Sequence, residues 1–464
     1  MLFDIDKKDP LSLAAIDDDG GLLTYGDIVA LREDLAKVIQ ERELVYCLCE
    51  NRVGALAGFL ALYDNKDVCL LLSAKIDKGL LDTLIETYHP SYFWMPEIKA
   101  DETGYELVFR FKDYVLCKTG ENAPVMHPAL SMLMTTSGTT GSPKLVRHKY
   151  GNIEANARNV AQVFGWTPKE RGIIDLPMQY TMGLNVINSH LFAGASVLLI
   201  EANLLSPKYW SFIKEQKGTN FTGVPFSYEI LNRLRFGRMD LPFLTTMAEG
   251  GGKLSDSLFK TFAKLAEEKG KRFFATFGTT ETSARLSFLP PEDAITHIGS
   301  IGNAIPEGKL ILVDENGNEI TREGVEGELR YEGPNVTMGY GTSIEDLIKG
   351  DEFCGIYETG DLAKRDVDGY FYIVGRKKRF LKLFGLRVSL DQCEKIIQDS
   401  FEIECACTGD DSIMRIYITE ESLREEVRTL ISNKTGLKSS FFDVRVTNSI
   451  PHFESGKINY RELI

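Results

Sequence analysis

The alternation of short apolar runs with amphipathic helical patterns is the feature that most restricts how this chain folds. The stretch TYGDIVALREDLAKVIQ has helical periodicity, the following DVCLLLS is typical of a buried strand, and KGLLDTLIETY is helical again. Further along, GIIDLPM, ASVLLIE, FTGVP and RFFATFG are strand candidates separated by helical stretches. This alternation predicts an α/β fold with mixed, mostly parallel sheets.

The later part of the chain predicts two smaller units. KLILVDENGNEI and EGELRYEG carry turn signals between apolar runs, and DVDGYFYIVGR has the pattern of a hairpin, so we expect a small β-rich subdomain. After about residue 380, a helical pattern (SLDQCEKIIQDSF) and two strand patterns (MRIYITE, FFDVRVTNSI) indicate an α+β unit. We therefore expect an N-terminal domain over 1–375 and a small C-terminal domain over 376–464.

Composition excludes several classes of protein. The formal charge of −14 disfavours nonspecific binding to nucleic acid. No apolar stretch approaches the ~18 residues of a membrane span, and MLFDIDKKDPLS lacks the pattern of a signal peptide. The eight cysteines are scattered, and buried thiols in a reducing compartment explain the spacing of Cys47/Cys49 and Cys405/Cys407 better than a metal site does. We expect a cytoplasmic protein.

The stretch TTSGTTGSPK, residues 135–144, follows a strand-like run and is poor in apolar atoms. Glycines let a backbone approach a ligand closely, successive N–H groups form a concave anion site, and hydroxyls and a lysine add donors. A polyphosphate loop and a mobile surface linker fit this composition equally well. The spacing is not that of a Walker loop, which argues against a P-loop kinase or GTPase, and the absence of G-x-S-x-G disfavours a serine hydrolase.

TSGTTGSPK is similar to the phosphate-loop signature of the adenylate-forming superfamily, which includes acyl-CoA synthetases, peptide-synthetase adenylation domains and luciferase-type enzymes. Further stretches resemble that family's motifs in the family's order: FGTTE (277–281), YETGDL (357–362), GRKKRFLKLFGLRV (375–388) and SGKINYREL (455–463), with GELRYEGPNVTMGY (327–340) in support. The matches occur in the family's order and span residues 133 to 463. The chain therefore resembles members of this superfamily.

The resemblance implies an enzyme, an acid–thiol ligase that uses ATP and Mg²⁺ to convert a carboxylic acid into an acyl-adenylate and pyrophosphate. Transfer to CoA is expected to follow, and the phosphopantetheine of an acyl carrier protein is the alternative acceptor. An alternative of another class is a catalytically silent nucleotide-binding protein, against which the joint presence of Glu281, Asp361 and Lys457 argues. The resemblance also implies that the C-terminal domain is mobile and rotates after adenylation.

Roles for individual residues follow from the same resemblance. Glu281 is expected to hold Mg²⁺, Thr280 to contact the α-phosphate, and Lys457 to bridge the reacting groups. The residues expected to bind ATP or AMP are Thr136, Ser137, Gly138, Thr139, Thr140, Gly141, Lys144, Gly250, Gly251, Gly252, Phe277, Gly278, Thr279, Asp361, Tyr372 and Arg376. Each of the three motif residues also has a purely structural interpretation. Glu281 could be a surface residue in the first turn of a helix, Asp361 could cap its own turn, and Lys457 could be an ordinary exposed lysine.

A basic run lies where the family has its hinge. By resemblance Lys378 is the hinge residue, and Gly385, Leu386 and Arg387 line the thiol tunnel. Five cations fall within seven residues, and alone they would equally suggest a nucleic-acid patch: Arg376, Lys377, Lys378, Arg379 and Lys382. Their continuation into FGLRV favours the hinge, and the extra cations could guide the phosphates of CoA.

The acid is the least constrained part of this prediction. In YTMGLNVINSHLFAGA (180–195), Thr181 stands where, by resemblance, the amino-acid-activating members of the family have an aspartate that pairs with the substrate ammonium. We therefore expect an aryl, fatty or small hydroxylated acid without an α-amino group. Asn185 could bind a polar substrate group or make a structural hydrogen bond. The predicted acid pocket contains Tyr180, Gly183, Asn185, Val224 and Phe226, next to Phe277. Oligomeric state is not predicted.

Overall fold

The computed structural model describes residues 1–135, 144–377, 379–383, 386–410, 412–453 and 457–463, with only the backbone described at 380, 382 and 387. Its strands, in chain order, are β1 (Leu13–Asp17), β2 (Leu22–Thr24), β3 (Leu44–Cys49), β4 (Val68–Ser73), β5 (Tyr92–Pro96), β6 (Glu106–Phe111), β7 (Tyr114–Lys118), β8 (Leu130–Thr135), β9 (Leu145–Lys149), β10 (Arg171–Ile174), β11 (Ser196–Leu199), β12 (Asn220–Gly223), β13 (Thr246–Glu249), β14 (Arg272–Thr279), β15 (Ala284–Leu289), β16 (Asn303–Ala304), β17 (Lys309–Val313), β18 (Gly327–Glu332), β19 (Tyr340–Gly341), β20 (Ile356–Arg365), β21 (Phe371–Arg376), β22 (Phe380–Leu383), β23 (Leu386–Ser389), β24 (Cys405–Asp410), β25 (Ile413–Ile418) and β26 (Phe442–Val446). Its α-helices are α1 (Tyr25–Val38), α2 (Val53–Asp64), α3 (Lys78–Tyr88), α4 (Glu97–Ala100), α5 (Asn152–Phe164), α6 (Thr181–Phe192), α7 (Pro207–Glu215), α8 (Pro225–Arg233), α9 (Asp256–Glu268), α10 (Leu390–Phe401) and α11 (Arg424–Thr435).

The first large sheet has the strand order β16-β15-β14-β13-β12-β10-β11-β1-β2 within the described residues. Its strands from β14 to β1 pair in parallel, and β15, β16 and β2 add antiparallel edges. In a parallel sheet the carboxyl ends of neighbouring strands meet at one edge, where ligands commonly bind. The segments that follow β12, β13 and β14 therefore lie next to one another at this edge.

The second large sheet has the order β19-β9-β8-β4-β3-β5-β7-β6 among the described strands. Strands β8, β4, β3 and β5 run parallel, whereas β9, β19, β7 and β6 are antiparallel additions. The parallel strands are apolar and buried along their whole length, as expected where helices cover both faces.

Helices α1, α2, α5 and α6 fill the space between the two sheets. Their apolar side chains share one core with residues from both sheets. Helices α7, α8 and α9 cover the outer face of the first sheet, and α3 covers the outer face of the second. The layered arrangement confirms the predicted α/β fold with mixed, mostly parallel sheets. None of the helices in the described ranges is long and apolar enough to cross a bilayer.

Two smaller units complete the molecule. Strands β17, β18, β20 and β21 form an antiparallel sheet, which is the β-rich subdomain expected from the sequence. After β21 ends at Arg376, α10 and α11 pack with β24, β25 and β26 around a core of their own, which is the expected α+β unit. The β22–β23 hairpin connects the two.

Helix boundaries follow local sequence signals. Thr24 and Asp27 form a reciprocal capping box at the start of α1, and Asp77, Ser255 and Ser389 cap α3, α9 and α10 with side-chain acceptors. These caps satisfy backbone N–H groups that have no partner within the helix. They explain why the helices predicted from periodicity begin within one or two residues of their predicted starts.

Candidate active site

The hydroxyl- and glycine-rich stretch connects two paired strands. Thr135, at the end of β8, lies opposite Leu145, at the start of β9. The predicted ligands Thr136, Ser137, Gly138, Thr139, Thr140 and Gly141 lie outside the described residues. Lys144 is described, and its Nζ lies 4.2 Å from the centre of the Tyr340 ring. Lys144, the residue before β9, therefore lies against Tyr340.

Glu281 lies in a short 3₁₀ turn, Thr280–Thr282, immediately after β14. The Tyr340 hydroxyl donates a hydrogen bond to Glu281 Oε1 at 2.7 Å, and the Glu281 carbonyl accepts one from the Thr337 N–H at 3.0 Å. Because β19 pairs with β9, Tyr340 links the carboxylate to the β8–β9 connection. The structure thus brings Glu281 to the hydroxyl of Tyr340 and Lys144 to its ring.

The turn that carries Glu281 depends on Gly278. A side chain at position 278 would overlap the backbone of Ala284, and the β14–β15 ladder is irregular between Phe277 and Gly278. Thr279 is held by contacts of its N–H and hydroxyl with the Thr282 hydroxyl, at 3.4 and 3.2 Å. Glycine is therefore required for the backbone crossing that places the predicted phosphate and metal ligands.

Asp361 lies on β20, directly opposite Arg376 at the end of β21. It is only 2% exposed, and the Arg376 Nε lies 3.1 Å from its Oδ1. Its Oδ2 is buried without a hydrogen-bond partner among the described residues. Burial raises the pKa of Asp361, and Arg376 opposes that rise. A buried carboxylate oxygen without a partner requires a donor, and a ribose diol supplies two.

Lys457 brings a third motif to the same place. Its side chain retains exposure, yet desolvation by the surrounding protein lowers its pKa, as does the positive charge of Arg376. The carboxylates of Glu281 and Asp361 act on it in the opposite sense. Residues 281, 361 and 457 are far apart in the chain. The fold therefore brings together the residues that the sequence predicted, from separate motifs, to hold the metal ion, the ribose and the reacting groups.

Two tyrosines at this site were not singled out from the sequence. Tyr340 bonds Glu281, and the pKa of Tyr357 is raised by burial and by the charges of Glu281, Tyr340 and Asp361. Tyr357 therefore lies near Glu281 and Asp361. The only sequence signal of the two tyrosines is their membership of the GPNVTMGY and YETGDL stretches.

The glycine segment 250–252 follows β13 at the edge of the first sheet. A Cβ on Gly250 would lie 2.5 Å from Thr276 Oγ1 and 2.7 Å from Met182 Cε, and one on Gly252 would lie 3.1 Å from Pro225 Cγ. Gly251 has a φ of 81°, which disfavours other residues. The segment passes close to β14, α6 and α8, and its contact with the nucleotide stays a prediction.

The predicted acid-pocket residues occupy the starts of two helices. Tyr180 is the residue before α6, and Val224 is the residue before α8. A Cβ on Gly183 would lie 2.5 Å from the Pro177 carbonyl oxygen, so glycine lets α6 approach the preceding loop. A Cβ on Gly251 would lie 3.2 Å from Val224. Val224 therefore lies against the glycine segment.

Asn185 and Phe226 take positions that the sequence did not specify. Asn185 is 3% exposed, donates to Asn156 Oδ1 and accepts from Arg285 Nη1 at 2.6 Å, so its amide is used in a structural network. Phe226 is 42% exposed, and its ring stacks on His452 of the C-terminal unit at 5.5 Å. Phe226 therefore lies at the contact between the two predicted domains.

Tyr372, another predicted nucleotide ligand, lies on β21 four residues before Arg376. Its hydroxyl contacts His297 Nδ1 at 3.2 Å. Burial and a hydrogen bond to Asp366 raise its pKa. The hydroxyl is therefore already used within the protein, and the role of Tyr372 in nucleotide binding stays a prediction.

The basic run does not form a free cationic patch in its described part. Arg376 pairs with Asp361, Lys377 Nζ lies 2.6 Å from Glu328 Oε2, and Arg379 pairs with Asp391 and Glu394. Each of these cations has a carboxylate partner, which favours the hinge interpretation over nucleic-acid binding. Lys378 and Gly385 lie outside the described residues, and only the backbone of Arg387 is described. Leu386 is exposed at the start of β23.

The parallel-sheet edge, the Glu281 turn and the unpartnered Asp361 oxygen define an adenylate-forming enzyme with a small α+β unit over its site. Residues 5–341 match the family described as AMP-binding enzyme, and the chain belongs to this family. The match confirms the family inferred from the sequence motifs.

Relatives with assigned names are CoA ligases. The chain is 26% identical over 466 residues to a 2-succinylbenzoate–CoA ligase of Listeria monocytogenes, with 93% of this chain and 96% of the relative covered. It is 26% identical to an oxalate–CoA ligase of Arabidopsis thaliana, covering 78% and 72%. It is 30% identical to a long-chain-fatty-acid–CoA ligase of Escherichia coli, covering 72% and 61%.

Solved structures share the whole fold. The o-succinylbenzoate CoA synthetase of Bacillus subtilis in complex with the acyl-adenylate OSB-AMP matches with a TM-score of 0.80 and 21% identity, covering 100% of this chain and 97% of that one. ATP-bound MatB of Rhodopseudomonas palustris matches with a TM-score of 0.78 and 22% identity, covering 100% and 97%. At these identities the likeness concerns the fold.

Proposed function

We propose that this enzyme uses ATP and Mg²⁺ to activate a carboxylic acid without an α-amino group, forming an acyl-adenylate, and then transfers the acyl group to CoA. The observation that carries the proposal is the convergence of Glu281, Asp361, Arg376 and Lys457 from four separate motifs. Named relatives that span most of this chain are CoA ligases, which supports CoA as the acceptor.

The donor set suits a magnesium–nucleotide complex. Glu281 directs one oxygen to Tyr340, and its other oxygen accepts no hydrogen bond from the described residues. One carboxylate together with phosphate oxygens is the usual way in which proteins hold Mg²⁺. When bound, the ion offsets negative charge on the departing pyrophosphate. Asp361 Oδ2 would accept hydrogen bonds from the ribose, and Arg376 would hold that carboxylate in position.

Lys457 would serve adenylation directly. Its ammonium lies within the electrostatic reach of both carboxylates and beside Arg376. In the adenylation step a substrate carboxylate attacks the α-phosphorus, and negative charge gathers on the phosphate oxygens. A cation fixed where this charge develops lowers the barrier. We place Lys457 against the substrate carboxylate and Thr280 against the α-phosphate.

The architecture of α6 supports an acid without an α-amino group. Thr181 is its first residue, and the helix contains no carboxylate that could pair with an ammonium. The relatives act on 2-succinylbenzoate, oxalate and long-chain fatty acids by name, none of which is an amino acid. We propose that Tyr180, Val224 and Phe277 line the site of the acyl group.

We also propose a cytoplasmic location. The cysteines are free, and all except Cys354 are buried, as is typical of a protein from a reducing compartment. Fractionation of the native cells with antibody detection would check this.

A pyrophosphate-release screen over aryl, fatty, hydroxylated and amino acids tests the function. We expect release only with ATP, Mg²⁺ and a non-amino acid, followed by thioester formation with CoA in preference to a phosphopantetheinylated carrier protein. Binding of ATP without release for any acid would identify a silent nucleotide-binding protein instead. Preferential acylation of the carrier protein would move the acceptor assignment from CoA to pantetheine on a protein.

A further inference from the structure

Arg285 is a buried cation without an anionic partner. It lies on β15, four residues after Glu281, and is 1% exposed. Its Nη1 donates to Asn185 Oδ1 at 2.6 Å and its Nη2 to Thr222 Oγ1 at 3.1 Å, and its Nε lies 3.5 Å from Thr276 Oγ1. All three acceptors are uncharged.

Two other arginines with little exposure have carboxylate partners, whereas Arg285 has none among the described residues. Arg147 pairs with Glu352, and Arg379 pairs with Asp391 and Glu394. No carboxylate among the described residues forms an ion pair with Arg285. Burial lowers the pKa of Arg285 to about 10, so the guanidinium stays charged at neutral pH. A buried charge left unpaired is strongly unfavourable unless a ligand compensates it.

The acceptors of Arg285 all belong to the predicted acid pocket or adjoin it. Asn185 was itself predicted to line the pocket, Thr222 precedes Val224 by two residues, and Thr276 contacts the glycine segment that Val224 also contacts. Thr276 Oγ1 lies 2.5 Å from the position that a Cβ on Gly250 would occupy. One threonine hydroxyl therefore separates the guanidinium from the glycine segment.

The guanidinium retains donors for a ligand. It has five N–H groups, and the three hydrogen bonds to described residues use one on each nitrogen. One N–H on each terminal nitrogen is left over. A planar fork of this kind matches the two oxygens of a carboxylate.

We propose that Arg285 determines specificity by binding a second anionic group, a carboxylate, on the acyl part of the substrate, so that the preferred substrate is a dicarboxylic acid. The inference rests on the proposed acid activation and adds the substrate class. The first carboxylate reacts beside Lys457, and the second lies against the guanidinium beyond Gly250 and Thr276.

The test compares dicarboxylic acids with their monomethyl esters, which remove one charge and add one methyl group. Succinate, glutarate and phthalate are each paired with the corresponding monoester, and kcat/KM is measured by pyrophosphate release. For at least one pair we expect the diacid to be preferred by about 100-fold or more, because the ester leaves a buried donor pair unmatched.

Arg285→Met is expected to bring that ratio to within about fivefold, mainly by raising KM for the diacid while the ester keeps its rate. Arg285→Lys retains the charge without the fork and should give an intermediate ratio. Arg272→Met is the matched control, since Arg272 also bonds a threonine hydroxyl, at 2.8 Å, but lies at the opposite end of β14. It should leave the ratio unchanged.

The outcomes separate the two proposals. Equal use of diacid and ester by the wild-type enzyme in every pair, or an unchanged ratio in Arg285→Met, overturns the role of Arg285 and leaves acid activation standing. The wild-type comparison decides the matter even where Arg285→Met does not fold. Failure of every acid, with one or two carboxylates, to release pyrophosphate overturns the proposed function itself.

Discussion

At the scale of single residues, Lys457 offers the sharpest test of the proposed site. Its pKa is lowered by desolvation and by Arg376, while Glu281 and Asp361 hold it electrostatically in place. If it acts in adenylation alone, Lys457→Ala should slow acyl-adenylate formation by at least about 100-fold. Thioester formation from supplied acyl-adenylate and CoA should stay within twofold of wild type. Single-turnover assays of each half-reaction measure both.

Lys434→Ala is the matched control for that experiment. Lys434 lies in α11 on the exposed surface of the same C-terminal unit. Its removal should leave both half-reactions unchanged. Equal losses in the two half-reactions of Lys457→Ala would contradict a role confined to adenylation.

Asp361 gives a second prediction at this scale. Its Oδ2 is buried without a partner among the described residues, and we assign it to the ribose. Asp361→Asn replaces one acceptor by a donor, so it should raise KM for ATP about tenfold or more while changing KM for the acid little. Comparison of ATP with 2′-deoxy-ATP checks the reason, because the variant should lose most of the wild-type preference for ATP. A preference that survives intact would place the ribose elsewhere.

The sequence identified the residues that carry charge within recognisable motifs. Glu281 follows β14, Asp361 lies within β20 and Arg376 ends β21, and the fold brings them near Lys457. Tyr340 escaped prediction because its bond to Glu281 forms only when β19 pairs with β9. Arg285 escaped for a similar reason: it belongs to none of the motifs, and its neighbours come from α6, β12 and β14.

At the scale of elements, α8 meets the C-terminal unit through an ionisable contact. His452 Nε2 lies 2.9 Å from Glu404 Oε1, and the His452 ring stacks on Phe226 of α8. Glu229, also on α8, adds a negative charge that raises the pKa of His452. Arg233 acts on Glu229 and lowers the pKa of that carboxyl. When His452 is neutral, Arg233 alone among the described cations of this contact opposes the repulsion between Glu404 and Glu229. The contact is therefore strongest with protonated histidine.

This geometry gives a pH dependence with a defined sign. The hydrogen bond to Glu404 raises the pKa of His452, so its stabilising contribution is complete below the ordinary histidine pKa and is lost as pH rises through the raised value. Adenylate formation in single turnover should fall about two- to fivefold between pH 6 and pH 8 because of this contact. His452→Gln should flatten that slope. His89→Asn, at an exposed histidine far along the chain, should leave it unchanged. A steep slope that persists in His452→Gln would refute the assignment.

Packing of α2 against β5 supplies a prediction about stability. Gly58 leaves room for the fully buried Trp94, whose Nε1 donates to the Gly54 carbonyl at 3.0 Å. A Cβ on Gly58 would overlap the indole. Gly58→Ala should therefore lower the free energy of unfolding by about 1–3 kcal/mol despite the better helix propensity of alanine. Urea denaturation measures the change.

Gly79→Ala is the control for this substitution. Gly79 is exposed in α3, and the only atom within 4 Å of its would-be Cβ is Asp77 Oδ1 at 3.3 Å. Here alanine should be neutral or stabilising by up to about 1 kcal/mol. Equal destabilisation in both variants would mean that helix propensity, rather than the indole, decides the effect.

At the scale of the whole molecule, the strand and helix patterns predicted the layers better than they predicted how the units meet. Periodicity located α1, α3 and α10 because each buries one face against a sheet. The contact between the C-terminal unit and the sheet edge leaves no periodic trace, since it consists of single side chains. His452 against Phe226 and Lys395 against Asp256 are examples.

Such contacts are weak enough to break if the C-terminal unit rotates after adenylation, as the sequence resemblance implies. Lys395 Nζ lies 3.2 Å from Asp256 Oδ2, and both side chains are about two-fifths exposed. An ion pair of this exposure contributes about 0.2–1 kcal/mol, which is small enough to be broken during each catalytic cycle. We therefore expect Lys395→Ala and Asp256→Asn each to slow adenylate formation by up to about fivefold. Neither should slow thioester formation from supplied acyl-adenylate, because the proposed rotation breaks this pair before that step.

A double-mutant cycle decides whether the pair acts as a unit. The double variant should be no slower in adenylate formation than the slower single variant, because the second substitution removes a partner that is already lost. Lys349→Ala is the control, since Lys349 pairs with Asp346 at 2.6 Å within the N-terminal domain and should affect neither half-reaction. Additive losses in the double variant, or equal losses in both half-reactions, would show that Lys395 and Asp256 stabilise the fold generally. The expected pattern, a coupled loss confined to adenylation, follows only if the C-terminal unit holds this position for one half of the reaction and leaves it for the other.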